Sequence, residues 1–380
     1  MGLDTKTWHG RLLKSIEIGF KRIVLKIFVF FGGIKKSRKK FDPAQFKKVL
    51  FIRHDKLGDM VISLPIFHNL KKFYPDIQID LVCGKDNYEI VRTDPHITNI
   101  YYYHKKPLRD WKNIQAMKNE NYDCVVDLIF GSSVTAVILV SIIAGRRLKL
   151  GVGKLDYAKY FDRTVEFERY KYPIIEATGR VLNLFGIDLK DCDMRPRIYL
   201  EEQDFKAGRD FVTELKKKHG TVVCINLSAG RPGRTWPLEK YFKLIEMLLA
   251  EYPEWAFALN YAPSEFWKAE KVLERYNDRV VPIPKGLNIR QIAGMMKYYD
   301  FLITPDTSLT HLASAFDLPS VVMFSGDDRN FREWGPYNPK IRAVRSPNLH
   351  RVEQIAPEAI LDAFKKVVAG EKAASHEKAR

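Results

Sequence analysis

Short segments that are apolar at almost every position alternate along this chain with segments of helical periodicity. A strand buried on both faces is apolar throughout, and parallel strands that alternate with helices are joined by right-handed crossovers. The alternation therefore predicts an α/β fold built on parallel sheets. The strand-like segments of the first half cover residues 48–52, 77–83, 97–103, 122–130 and 146–151.

The same alternation returns in the second half, after a polar stretch at residues 188–197 that contains Pro196. We place a domain boundary near residues 198–204, since 380 residues suffice for two domains of about 100–200 residues each. The strand-like segments of the second half cover residues 221–227, 257–261, 280–283, 301–303, 320–324 and 340–345.

These boundaries predict a basic segment over residues 1–45, a first domain over 46–202 and a second over 203–350. The remaining residues, 351–380, are predicted to hold a helix over 357–368 and a disordered end from Gly370. Residues 325–337 are expected to form a long loop.

One strand–turn–helix unit carries a cluster of polar residues at the edge of the second sheet. Asp306, Thr307 and Ser308 follow the apolar residues 301–303 and precede a helical pattern. The free N–H groups of a helix start bind phosphate, yet all three residues are also ordinary helix caps, so both interpretations remain open. His311, in the same helix, is either a packed or capping group or a catalyst.

A second polar loop, residues 53–59, follows the first strand, at the sheet edge where ligands bind in open α/β sheets. Within it, Arg53 and Lys56 are candidate acceptor contacts, and Gly58 permits a close approach of the backbone. Asp59 is either the cap of its own helix or a general base that accepts a proton from an attacking hydroxyl.

A third loop, residues 228–237, is rich in small and basic residues and follows the strand at 221–227. This loop suits a phosphate at Ser228, Gly230 and Arg234, because the backbone can approach closely there and arginine forms bidentate hydrogen bonds with phosphate. The alternative is a solvent-exposed turn. Glu265 lies at the end of the next strand, at the same predicted edge.

The net charge of +17 is concentrated at the N-terminus, where residues 1–50 hold 13 Lys/Arg against 3 Asp/Glu. Apolar residues recur there at helical spacing, but the uncharged run 27–34 is much shorter than the roughly 20 residues that span a bilayer. Charges interrupt the apolar core and no cleavage site follows, which disfavours a signal peptide. We favour a basic amphipathic helix on an anionic membrane surface over one packed on the protein, and expect no nucleic acid partner.

The four cysteines are scattered, at Cys83, Cys124, Cys192 and Cys224, without paired metal-ligand spacing. They predict reduced thiols in a cytoplasmic protein and no zinc site. Asp191 and Asp193 form the only Asp-x-Asp spacing, and they fall between the domains rather than in a predicted ligand loop, so we predict no metal and no cofactor.

Four blocks in fixed order resemble the lipopolysaccharide heptosyltransferases of glycosyltransferase family 9. They are residues 49–65 with Gly58-Asp59, residues 226–237 ending in Trp236-Pro237, residues 306–312, and residues 324–326 followed by Trp334-Gly335-Pro336. The resemblance covers residues 48–368. It implies a GT-B architecture, in which two Rossmann-like domains with parallel sheets face each other across a cleft, here with an added basic N-terminal helix.

The resemblance also implies an activity: inverting, metal-independent transfer of a heptose, typically from ADP-heptose, to a sugar hydroxyl of a lipopolysaccharide core. Asp59 matches the family's proposed base, and Asp306, Thr307 and His311 match its nucleotide-sugar motif. Arg234 stands at a position where many members have a phosphate-binding lysine, and Glu265 matches an acidic position near the donor. The sequence departs from the family at Ser308, often glycine, and at Ala229 and Gly230, often hydroxylated residues.

The implied partners are a nucleotide-diphosphate sugar, an anionic glycolipid acceptor and the inner-membrane surface, which suggests a cytoplasmic, peripheral location. Two alternatives stay open. A GT-B nucleotide-sugar epimerase would consume its donor without an acceptor, and a non-catalytic sugar-binding protein would show no turnover at all.

Overall fold

The computed structural model describes residues 8–131, 133–276 and 278–378, and its framework is a pair of six-stranded, wholly parallel sheets. The central strands β1 and β4 of the first sheet and β7 and β10 of the second are buried along almost their whole length, which accounts for their apolar runs. The first sheet contains β1 Lys48–Ile52, β2 Gln78–Cys83, β3 Asn99–Tyr102, β4 Cys124–Asp127, β5 Leu148–Val152 and β6 Arg163–Val165. The second contains β7 Val222–Asn226, β8 Ala256–Asn260, β9 Val280–Pro282, β10 Phe301–Pro305, β11 Ser320–Phe324 and β12 Ile341–Arg345.

Both sheets have the same doubly wound topology. The first sheet has the strand order β3-β2-β1-β4-β5-β6. The second has the order β9-β8-β7-β10-β11-β12, which is the same order because β7–β12 correspond to β1–β6. The chain reverses direction across the sheet beside β1 and beside β7, so the ends of these strands border the crevices in which such folds bind ligands. The predicted α/β class and parallel sheets are confirmed, while the short strand β6 was not predicted.

Helices cover both sheets, and two of the predicted details are wrong. The expected loop at 325–337 contains a helix, and the expected disorder from Gly370 is helical to Lys378. Residues 379 and 380 lie outside the described residues. The helices are α1 Trp8–Phe30, α2 Leu57–Val61, α3 Leu64–Phe73, α4 Tyr88–Val91, α5 Pro107–Asn119, α6 Val134–Ala144, α7 Ile174–Gly179, α8 Glu202–His219, α9 Leu238–Glu251, α10 Phe266–Leu273, α11 Ile289–Met295, α12 Ser308–Ala315, α13 Asp328–Trp334 and α14 Pro357–Lys378.

A buried arginine joins the two halves below the cleft. Arg290 of α11 has no exposed surface and pairs with Asp204 of α8, with 2.9 Å between Nε and Oδ2. The same guanidinium donates to the carbonyl oxygen of Glu89 at 2.7 Å and to Thr93 Oγ1 at 2.9 Å, both in the first half. Helix α8 begins next to the predicted boundary and packs on α11, so the chain crosses between the halves at this junction.

The N-terminal helix α1 lies on the first half, where Leu25 is buried among residues of α6 and the sheet. Residues 1–7 of the predicted basic segment lie outside the described residues. Among the residues that the structure describes, none of the helices combines the length and the apolar character needed to cross a bilayer.

Candidate active site

The loop after β1 places Asp59 in the first turn of α2, at the edge of the first sheet. Its carboxylate is partly exposed, at 15% of the side-chain surface, and one oxygen lies 3.5 Å from Nη2 of Arg53. Asp59 thus faces the cleft and has a cation behind it. This is a geometry in which a carboxylate can meet an incoming hydroxyl.

Arg53 itself is buried and held by backbone groups rather than by solvent. Nε donates to the carbonyl oxygen of Asp59 at 3.0 Å, Nη1 donates to the carbonyl oxygen of Leu128, and the guanidinium lies over the ring of Phe130. A side chain without exposed surface cannot contact an acceptor directly, so the predicted acceptor contact of Arg53 is corrected. Its position instead fixes the carboxylate of Asp59.

Asp55, in the same loop, shares the guanidinium of Arg53, with 3.3 Å between Oδ2 and Nη1. Burial raises the pKa of Asp55 to about 6; the positive charge of Arg53 opposes the rise, and the negative charge of Asp59 adds to it. The first half therefore presents two neighbouring carboxylates on one buried cation.

On the opposite side, α12 begins directly at the end of β10, as the strand–turn–helix pattern predicts. Thr307 is its cap, and Oγ1 accepts a hydrogen bond from the backbone N–H of Leu309 at 3.3 Å. The capping interpretation of Thr307 is thus confirmed. The helix start, with Ser308 at its first position, still opens into the cavity described below, and the positive end of the helix dipole there attracts an anion.

Asp306 and Arg234 form a pair beside this helix start. Arg234 donates from Nη1 to the carbonyl oxygen of Asp306 at 2.9 Å, and its Nη2 lies 2.9 Å from Oδ2 of the same residue. Burial raises the pKa of Asp306, and the positive charge of Arg234 opposes that rise. Asp306 thus holds the guanidinium in place, while 29% of the arginine side chain remains exposed to the cleft.

The two halves touch at Gly58 and His311. A Cβ atom placed on Gly58 would lie 2.9 Å from Cδ2 of His311, closer than real contacts allow, so only glycine lets α2 approach α12 this closely. The imidazole of His311 is buried and faces the rings of Trp334 and Tyr337. Burial lowers its pKa to about 4, with Asp59 opposing and Arg234 adding to the shift, so the ring is neutral near pH 7.

Three cations from both halves converge near this contact. Lys56 lies close enough to Arg231 and Arg234 that their charges, after burial, lower the pKa of its ammonium, while Asp59 opposes the shift. Like charges at short range are costly unless an anion lies between them. Lys56, predicted as an acceptor contact, therefore faces the basic loop of the second half.

A cavity of about 640 Å³ opens from the helix start into the second half. Its walls are mainly apolar, and Ser228 and Gly230 lie among them, as does Ser308. Ser228 is held by a hydrogen bond from the N–H of Ala262 to its Oγ at 2.7 Å. The far wall is not predicted by the sequence motifs, and its signal in the sequence is the run of small and apolar residues after β8 and after β9. That wall comprises Tyr261, Ala262, Pro263, Phe266, Ile283, Pro284, Lys285, Gly286, Leu287, Ile289 and Ile292.

A second cavity of about 490 Å³ adjoins the first through Ala229 and Gly230. Arg231 and Glu265 lie in its wall. Glu265 pairs with Lys268, with 2.7 Å between Oε1 and Nζ, and keeps 27% of its side chain exposed. Five of the predicted donor residues thus border two connected spaces: Ser228, Gly230, Glu265, Thr307 and Ser308.

A basic hollow of about 490 Å³ lies on the first half, at the ends of β1, β2 and β3. Its wall contains His54, whose buried ring nitrogens have no hydrogen-bond partner among the described residues, and which faces the ring of Tyr103. Burial, reinforced by the charge of Lys105, lowers the pKa of His54 to about 4. The cationic residues of the wall are Lys85, Lys105, Lys106 and Arg109.

Outside the cleft, His68, Asp94 and His96 are the described residues grouped closely enough to hold a metal ion. Asp94 already bridges the two histidines, at 3.0 Å to Nε2 of His68 and 2.8 Å to Nδ1 of His96. Hydrogen bonding accounts for this cluster. The four cysteines have free thiols, and burial raises the pKa of Cys83 and of Cys224 to about 12, so neither is a reactive thiolate at neutral pH.

Comparison with known proteins identifies similar sequences and folds. Residues 111–362 match the model of glycosyltransferase family 9 (heptosyltransferase). Lipopolysaccharide heptosyltransferase 1 of Campylobacter coli is 24% identical over 295 residues, 73% of this chain and 83% of that protein. Among solved structures, Escherichia coli ADP-heptose heptosyltransferase II has a TM-score of 0.70 at 17% identity, over 86% of this chain and 99% of its own. E. coli WaaC with ADP-2-deoxy-2-fluoro heptose has 0.64 at 20%, over 84% and 99%.

Proposed function

Because this chain belongs to glycosyltransferase family 9 and is a glycosyltransferase, we propose that it transfers a heptose from ADP-heptose to a hydroxyl of a lipopolysaccharide core. One observation carries the proposal. The carboxylate of Asp59, the start of α12 and the cations Lys56 and Arg234 meet in a single cleft between the halves. Sugar transfer from a nucleoside diphosphate requires a base for the acceptor hydroxyl and a nearby site for the anionic leaving group.

The donor occupies the second half. The adenosine fills the apolar cavity, where Tyr261 and Phe266 supply aromatic surface, and the diphosphate lies between the start of α12 and Arg234. Support comes from relatives whose names include ADP-heptose or an ADP-sugar ligand. When the sugar bond to the diphosphate breaks, the new negative charge finds donors already in place, so the reaction needs no metal ion.

The chemical step is a single displacement. The acceptor oxygen attacks the anomeric carbon, ADP leaves with the bonding electrons, and the hydroxyl proton passes to Asp59. One displacement inverts the anomeric configuration. Arg53 acts through Asp59: it holds the carboxylate against α2 while remaining out of reach of the substrate.

The acceptor binds to the first half. We assign an anionic sugar or phosphate group of a glycolipid to the basic hollow, because its four cations outnumber the carboxylates of Asp55 and Asp86 and His54 lacks a partner there. Such an acceptor resides in the inner leaflet, so we propose a cytoplasmic protein that is peripheral on the inner membrane. No nucleic acid partner is proposed.

Nucleotide release tests the proposal. Purified protein is incubated with ADP-heptose, and separately with a panel of UDP- and GDP-sugars, with and without deep-core lipopolysaccharide. We expect ADP release only with ADP-heptose and acceptor together. Release from another sugar nucleotide would overturn the donor, acceptor-independent consumption would favour the epimerase alternative, and absence of release throughout would favour the sugar-binding alternative.

The role of Asp59 has its own control. Asp59→Asn is expected to lower turnover by about 10²–10⁴-fold, since a general base contributes this much, while ADP binding is retained. Asp76→Asn is the matched control, because Asp76 is an exposed carboxylate of the same half. Near-normal turnover in Asp59→Asn would remove Asp59 from the mechanism without affecting the assignment of the donor.

A further inference from the structure

Helix α1 has two apolar sides, and only one of them is covered by protein. Leu25 is 3% exposed and belongs to the core formed with α6. On the other side, exposure ranges from 44% to 84% along a row of large side chains spaced three or four residues apart. The row, named here the outer stripe, comprises Leu12, Ile16, Phe20, Ile23, Ile27 and Phe30.

The geometry of a helix places the outer stripe away from the protein. Successive residues turn by about 100°, so Leu25, two positions from both Ile23 and Ile27, lies on the far side of the helix axis from them. Packing on α6 therefore accounts for Leu25 and leaves the stripe in solvent. Apolar rows of this length on a surface mark an interaction site.

Charge identifies the kind of partner. By the same rotation, the exposed side chains of Lys26 and Arg22 lie on one flank of the outer stripe, with Lys26 nearer to it. Lys21 lies closer to the side of Leu25 and pairs with Glu17. An apolar row flanked by cations fits the boundary between acyl chains and anionic headgroups, where the row enters the acyl region and the cations meet phosphates. Most protein surfaces lack this combination of an acyl-like interior and a dense negative layer.

The segment after the helix is fastened to the first half. Ser37 donates from its backbone N–H to Asp162 Oδ1 at 3.1 Å, Lys36 donates from Nζ to the carbonyl oxygen of Phe161 at 3.2 Å, and Lys39 lies 3.0 Å from Asp123. These residues of the basic segment are therefore bound to the first half. The helix is tied at Leu25 and again just beyond its end, so it has one orientation on the first half.

We infer that the outer stripe inserts into an anionic leaflet with α1 lying flat, and that α1 is a rigid docking element rather than a flexible tether. The inference rests on the membrane location in the proposed function. It adds the side of the helix that meets lipid, and it fixes the orientation of the first half on the bilayer.

Vesicle binding tests this without donor, acceptor or catalysis. The full chain is sedimented with vesicles of phosphatidylcholine plus phosphatidylglycerol, and with phosphatidylcholine alone. Ile16→Ser/Ile23→Ser removes two side chains of the stripe, while Ile18→Ser/Val29→Ser removes two exposed ones on the side of Leu25. We expect the first variant to partition at least about tenfold less, since burial of each isoleucine contributes appreciably, and the second to differ by less than about threefold.

The outcomes separate the occupants. Binding that is stronger with phosphatidylglycerol and weakened by salt supports the inference, as does the difference between the two variants. Equal loss in both variants, or no binding by the native chain, overturns it. If the native chain sediments as a dimer in solution and the stripe variant as a monomer, with no vesicle binding, the stripe contacts a second copy. Unchanged thermal unfolding of both variants shows that the fold is intact. If vesicle binding fails, the proposed reaction still stands, because this experiment involves no catalysis.

Discussion

The contact between Gly58 and His311 gives a prediction whose size follows from the structure. An alanine at position 58 would place Cβ 2.9 Å from Cδ2 and 3.4 Å from Nε2 of His311. The imidazole has little room to move, because it is buried against Trp334 and Tyr337. Carbon atoms prefer separations of about 3.5–4.0 Å, so α2 must move away from α12 by roughly 0.5–1 Å.

This movement displaces the next residue, Asp59, relative to the donor. Misplacement by about 1 Å can cost about a hundredfold in rate, so we expect Gly58→Ala to lower kcat/KM by about 10–100-fold, equivalent to about 1.4–2.7 kcal/mol. Folding stability should change much less. Alanine favours the helix by about 1 kcal/mol over glycine, and this gain offsets part of the strain.

The assay is ADP release at saturating and limiting donor, together with thermal unfolding of each variant. Gly370→Ala is the matched control, since Gly370 lies within helix α14 and a Cβ there would meet nothing within 4 Å. The control should retain full activity. Wild-type activity in Gly58→Ala would refute the idea that the closeness of α2 and α12 positions the base.

Three further predictions concern buried and cleft charges. Arg234→Met should lower kcat by about 10²–10³-fold and Arg234→Lys by much less, since lysine keeps the charge; equal losses would contradict a charge-based role. Arg290→Met leaves Asp204 buried without its cation, so urea unfolding should show a free energy of unfolding lower by about 3–5 kcal/mol. A decrease under about 1 kcal/mol would disprove the stabilising role of the Arg290–Asp204 pair. Burial lowers the pKa of His311 to about 4, so the folded state binds fewer protons than the unfolded state between pH 6.5 and 4, and stability falls by up to about 3 kcal/mol as pH falls through that window. His311→Gln should flatten this fall in urea titrations, and an unchanged slope would mean that the ring is protonated when folded.

Local pattern sufficed to predict the framework and the sheet edges at which the candidate residues lie. Strands such as β1 and β7 are buried on both faces, so their apolar runs are unambiguous, and the loops that follow them fall at one edge by topology. Capping is one of the two interpretations that the sequence leaves open for Thr307, because capping depends on neighbours within three residues, and the structure shows the cap. Helix α13 was missed because Asp327, Gly326 and Pro336 dominate a segment whose only apolar helical residues are Phe331 and Trp334.

Contacts between distant parts of the chain could not be predicted in the same way. The position of Arg53 in a polar loop predicts a ligand contact, yet its side chain turns inward toward the carbonyl of Leu128. The closeness of Gly58 and His311 depends on the relative orientation of the two halves, which the hydrogen bonds of Arg290 to the first half help to determine. Local patterns in a single sequence give no information about contacts between residues that are distant in the chain.

The attachment of α1 gives the two halves different tasks in the proposed reaction. The helix packs on α6, and residues 36–39 bind the first half, so in the proposed membrane location the half with Asp59 and the basic hollow is the one oriented on the bilayer. A glycolipid acceptor diffuses only in the plane of the bilayer, whereas a nucleotide sugar arrives from solution. An anchor on the acceptor half therefore holds the base at a fixed height above the leaflet and leaves the nucleotide cavity of the second half facing solution. A comparable anchor on the second half would fix the donor site near the bilayer instead. The acceptor site would then be free to move away from the bilayer that supplies the acceptor.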